Sequence, residues 1–179
     1  MKEPMALIDK AQAAWERITT DQTQLNAAEI VTLQQAVNAL ELGLVKTEFY
    51  IQQATNNDVK EVLTDLRDDF LVGHIQKATQ ILDKAGIPYM TLNARTRIES
   101  MTQAPTVFTN EEVLLDTVFC IQATLTGLQA GAVAAVRGDV RDFFITARDD
   151  CFKVWRNIGM TAVKVMPDVI PPRMSGVHA

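Results

Sequence analysis

The strongest constraint on this chain is that one pattern occurs twice, about eighty residues apart. Asn26-Ala27-Ala28-Glu29 and Thr109-Asn110-Glu111-Glu112 both read as capping boxes. In each, the first side chain accepts from a first-turn N–H and the glutamate reaches back to the cap. An apolar stripe at helical spacing follows each box. After the first come Ile30, Leu33, Val37, Leu40, Leu44 and Ile51; after the second, Leu114, Val118, Ile121, Leu125, Leu128, Ala132 and Val136. A break then opens a further helix, at Asn56-Asn57 with Asp58 as its start, and at Gly138-Asp139. Asp58-Val59 returns as Asp139-Val140, and Arg67-Asp68-Asp69 as Arg148-Asp149-Asp150. Caps, turns and tripeptide agree, so the pattern predicts two equivalent helical hairpins.

Gly86 and Pro88 stop the first hairpin, residues 25–86. Residues 87–108 link it to the second hairpin, 109–166. A link of that length in a compact domain is expected to cross the molecule or to contain a short helical turn. Two hairpins joined by one crossover make an all-α, ferritin-like four-helix bundle. Residues 1–24 add an N-terminal helix: Pro4 suits a first turn, and Leu7, Ala11, Trp15 and Ile18 form one stripe. Pro167 ends the last helix, and 167–179, with Pro171-Pro172, is an extended tail. At 179 residues and 19.8 kDa this is a single domain.

Charge and composition narrow the function. The net charge is −5 and no basic stripe is present, so a nucleic-acid partner is not expected. Two cysteines and no leader-like apolar stretch predict a cytoplasmic protein without a disulfide scaffold. Cys120 and Cys151 fall out of register across the Gly138 turn, and both are expected as core thiols. Residues 117–136 carry no charge and have the length of a membrane span. Gln122, Thr124, Thr126 and Gln129 interrupt that run, which favours a buried soluble helix. The two serines, Ser100 and Ser175, lie in no nucleophile elbow, and no Gly-rich phosphate loop occurs.

A bundle of this kind raises the question of a di-iron centre. That centre needs a Glu from each of two helices and Glu-x-x-His from each of the other two. Leu71 stands where the Glu before His74 would be, and the repeat offers Phe152 and Trp155 at the equivalent pair. Glu41 and Glu48 become Thr124 and Gly131. No di-iron centre, cofactor or catalytic residue is therefore predicted. Glu41 and Glu48 still share the stripe of Val37, Leu44 and Ile51, and counting from the Asn56-Asn57 turn brings Glu41 level with His74. Two readings stay open. Glu41, Glu48 and His74 satisfy one another in the core, or they hold a single metal ion or small ligand.

A second candidate is the small-residue stripe Ala123, Gly127, Gly131 and Ala135. A four-residue spacing drifts by about 40° per step, so the stripe starts opposite the large residues and winds back to their edge. Either the N-terminal helix covers it with Trp15, or a second subunit does. A homo-oligomer, in its simplest form a dimer, is the expected partner state.

His74-Ile75, Ile81-Leu82, Lys84 and Gly86-Ile87-Pro88 resemble the end of the first hairpin in domain-of-unknown-function family 3231. Leu25 with Ala28-Glu29-Ile30 resembles that family's opening, and Ala104-Pro105 with Phe108 its crossover. Asp139-Val140-Arg141-Asp142-Phe143-Phe144 resembles its second turn, and Pro171-Pro172 its tail. These are ferritin-like bundle proteins of endospore-forming bacteria, some labelled spore coat proteins. The resemblance implies that fold, a bacterial origin and a link to the spore, with no established activity. The expected function is a non-enzymatic structural or interaction protein. The alternative is a bundle that binds a small ligand or one metal ion.

Overall fold

The structure, a computed structural model, describes residues 24–91 and 107–167. These residues form four helices and no strand. Helix α1 spans Ala27–Gln53. Helix α2 covers residues 57–84 in three stretches: Asn57–Asp65, a π-helical Leu66–Leu71, and Val72–Lys84. Helix α3 spans Asn110–Ala134 and α4 spans Gly138–Val165. The expected N-terminal helix and most of the tail lie outside the described residues.

Both capping boxes form. Asn26 Oδ1 accepts from the Glu29 N–H at 2.9 Å, and Glu29 Oε2 accepts from the Asn26 N–H at 3.0 Å. Thr109 and Glu112 repeat the exchange at 3.2 and 2.8 Å. Helix α2 starts earlier than the sequence predicts. Its cap is Asn56, whose Oδ1 accepts from Asp58 and Val59, so the Asp58 carboxylate is free to pair with Lys164 on α4 at 2.6 Å. At the other end of α2, Gly86 takes φ +67°, the left-handed closing residue that a side chain would strain.

The hairpins interlock at their ends. Glu29 Oε1 accepts from the Val136 and Arg137 N–H groups, at 2.8 and 2.7 Å, in the α3–α4 turn. Asn110 Oδ1 accepts from the Thr55 and Asn56 N–H groups, at 2.9 and 3.1 Å, in the α1–α2 turn. The first helix of each hairpin thus closes the turn of the other, and α1 and α3 run antiparallel. The Pro88 carbonyl accepts from Gln34 near the start of α1, while the Val107 N–H donates to Gln53 at its end. The connection therefore enters and leaves at opposite ends of the bundle, as the predicted crossover requires. Around the bundle, α1 packs on α2 and α3, and α4 packs on the same two. Leu33, Val37 and Leu40 of α1, Leu63 and Phe70 of α2, Val113 and Leu114 of α3, and Phe144 and Ile158 of α4 fill the core.

Candidate functional site

Helices α1 and α3 leave a groove between them with a cavity of about 420 Å³. It exists because the facing positions carry little side chain: Ala36, Ala39 and Gly43 on α1, Ala123 and Gly127 on α3. Leu40, Phe70, Leu71, Ile121 and Leu128 make an apolar floor. Phe70 and Leu71 come from the π-helical stretch, where the Val72 N–H reaches the Arg67 carbonyl five residues back. Gly43 lets Leu71 approach closely there, since a Cβ would lie 3.2 Å from Leu71 Cδ2 and that side chain would have to give way.

One end of the groove is polar. Asp116 Oδ2 lies 2.6 Å from Lys46 Nζ and accepts from the Tyr50 hydroxyl at 2.7 Å. Lys46 Nζ also donates to Cys120 Sγ at 3.0 Å. Burial, reinforced by the bond to Asp116, pushes the Tyr50 hydroxyl up to about 12. Burial opposes the charge on Lys46, but its bonds to Asp116 and Cys120 outweigh that and raise its pKa. Burial would likewise raise Asp116, yet Lys46 and Tyr50 hold it below the usual carboxylate range. The cluster is thus a cationic lysine, an anionic aspartate and a neutral tyrosine across physiological pH. It clamps α1 to α3 and leaves none of the three poised to exchange a proton near neutrality.

His74 is buried in α2, with its ring centroid 4.8 Å from that of Phe70. Nδ1 lies 2.8 Å from the Phe70 carbonyl, so it carries the proton and donates. Nε2 then presents a lone pair 3.5 Å from Asp150 Oδ2 on α4 and has no hydrogen-bond partner among the described residues. Burial drives the His74 pKa below its ordinary 6.5. The Phe70 carbonyl and Asp150 oppose that shift, and Lys77 adds to it. A depressed histidine contributes stability that is complete above its unfolded pKa and is lost as the pH falls toward its folded pKa. Thermal stability is therefore expected to decline from about pH 6.5 downward, and His74→Gln to flatten that decline between about pH 7 and 5.5. Melting curves of both proteins across that window test it, and identical slopes would refute it.

The other predicted site residues lie as follows. Glu41 is buried on α1. Glu48 lies 3.5 Å from the Arg67 guanidinium. The carboxylate facing His74 Nε2 from α4 is Asp150. Among the described residues, no three His, Cys, Asp or Glu side chains converge in a way that could hold a metal ion. Trp155, the repeat equivalent of His74, stacks on Phe152 and buries its Nε1, which has no hydrogen-bond partner among the described residues. The small-residue stripe divides. Ala123 and Gly127 line the groove, whereas Gly131 packs on the Phe144 ring and Ala135 is buried. That is the drift expected of a four-residue spacing. Cys151 is a core thiol, pushed up to about 12 by burial. Cys120 corrects the sequence reading, because it is half-buried at the groove and bonded to Lys46. Sequence reasoning missed the Lys46–Tyr50–Asp116–Cys120 cluster. Its signal was the four-residue spacing within each pair, with Asp116 as the last charge before the uncharged run.

Comparison with known proteins bears on this arrangement. The fold is similar to that of a solved structure from Bacillus halodurans C-125, described as a putative spore coat protein, with a TM-score of 0.69 at 13% identity. The likeness covers 87% of this chain and 96% of that one. No curated protein matches the sequence. The model of a family described as proteins of unknown function, DUF3231, matches residues 15–164. The chain belongs to domain-of-unknown-function family 3231.

Proposed function

We propose that this chain is a non-enzymatic structural or interaction protein that self-associates through its second hairpin, in association with the bacterial spore. The observation that carries this reading is the outward side of that hairpin. On α3, Leu115, Phe119 and Val133 fall on one side of the helix, with Phe119 68% and Val133 77% exposed. On α4, Ile145, Phe152 and Val163 fall on one side and are exposed as well. Helix α3 is, among the described residues, the one helix long and apolar enough to cross a membrane, with only 28% of its most apolar window buried. It packs on α1 and α4 as a bundle member, so its outward side is the part left without a partner. Exposed large apolar side chains in this number favour protein contact over hydration. Lys46 with Asp116 and Glu48 with Arg67 are engaged in ion pairs that join elements of the bundle, which supports a non-enzymatic role. The link to the spore rests on the name carried by the structural relative.

The test is the mass of the full chain in solution. Light scattering across a concentration series is expected to give a dimer or larger assembly. Phe119→Glu with Phe152→Glu is expected to give a monomer of unchanged helix content. A chain that is monomeric at every concentration overturns the reading.

A further inference from the structure

The groove between α1 and α3 is a different surface from the outward side of the second hairpin, and its occupant is a separate question. It has an apolar floor, walls of alanine and glycine, and no charge along α3 beyond Asp116. Ala39, Ala123 and Gly127 are exposed although two helices flank them. Such a trough fits one large apolar side chain better than water. Its lining on α1 runs from Thr32 to Tyr50, about 27 Å of helix.

We propose that the chain's own residues 4–19 dock in this groove through Leu7, Ala11, Trp15 and Ile18. The length matches, since sixteen helical residues span about 24 Å. The position matches too. The described chain starts at the beginning of α1, little more than a turn before Thr32. Four residues, 20–23, separate the segment from the described chain; extended they reach about 14 Å, enough to reverse direction and lay the segment antiparallel to α1. With Thr19 level with Thr32, equal rise brings Trp15 level with Ala36, beside the least filled part of the walls. A second copy would compete from solution, whereas the tethered segment acts at an effective concentration in the millimolar range.

The test uses the full chain with Trp155→Phe, which leaves Trp15 as its only tryptophan. Two readouts are independent: acrylamide quenching of Trp15, and alkylation of Cys120, which lines the groove. Gly127→Phe places a ring in the trough from a position where a Cβ meets nothing within 4 Å among the described residues, and unchanged helix content verifies that the bundle is intact. In that variant Trp15 is expected to become freely quenched while the melting curve is retained. Trp15→Ala is expected to speed Cys120 alkylation about tenfold or more, as the loss of a buried aromatic contact shifts a local opening equilibrium. Quenching unmoved by Gly127→Phe, or alkylation unmoved by Trp15→Ala, overturns the proposal. Protection that disappears on dilution also overturns it, because a second copy then fills the groove. The oligomer mass that tests the functional reading is measured separately, so either can fail alone.

Discussion

Glu29→Ala is expected to lower the unfolding free energy by about 3–5 kcal/mol, the scale of removing one partner from a buried charged network. Glu29 is fully buried, and its two oxygens accept from three backbone N–H groups, those of Asn26, Val136 and Arg137. Alanine leaves these donors facing a cavity at the point where two helix ends meet. Glu29→Gln is expected to cost less, about 1–2 kcal/mol, because one amide oxygen can still serve the turn. The decisive comparison is Glu112→Ala at the equivalent box. Glu112 is exposed and, among the described residues, accepts only from Thr109, so its removal should cost about 0.5–1 kcal/mol. Urea unfolding of the three variants measures this. Equal losses at positions 29 and 112 would show that closure of the α3–α4 turn contributes nothing.

Gly131→Ala and Gly127→Ala are expected to change stability in opposite directions, although both replace a glycine on one face of α3 by the best helix former. At Gly131 the added Cβ would sit well inside van der Waals contact with three ring carbons of Phe144, and Phe144 is only 1% exposed. Overpacking should outweigh the helix-propensity gain, for a net loss of about 1–3 kcal/mol. At Gly127 the Cβ meets nothing within 4 Å among the described residues, and a methyl group is small enough to leave the groove open, so the propensity gain of about 0.5–1 kcal/mol should appear as added stability. Thermal melts of the two single variants suffice. A Gly131→Ala protein as stable as the unmodified chain would mean that the Phe144 ring can move aside.

Local chemistry carried the fold into the sequence. Asn26-Glu29 and Thr109-Glu112 announce helix starts through bonds three residues long, so they are readable without tertiary structure. Gly86 is similarly local. The site was harder to read. Counting from a turn can show which residues of one hairpin are level, but not which residue of the other hairpin faces them. Asp150, the carboxylate that faces His74, comes from α4, 76 positions away by its number, inside a charge run that looks like an ordinary solvated face. The groove was half visible. The small residues of α3 stood out at a fixed spacing, whereas Ala36, Ala39 and Gly43 on α1 follow a looser spacing among larger neighbours. The π-helical turn at Leu66–Leu71 contains no residue type that announces it.

The bond from Glu29 to Val136 spans 107 positions of chain, and that has a consequence for synthesis. Translation at about 5–20 residues per second puts an interval of roughly five to twenty seconds between the appearance of this carboxylate and that of its last partners. Through that interval the start of the first helix stays open to water, even after the first hairpin has been completed at residue 86. Its own turn at Thr55 and Asn56 also waits for Asn110. Neither half can therefore finish before the other, and the nascent protein becomes a folded one only when the final helix emerges.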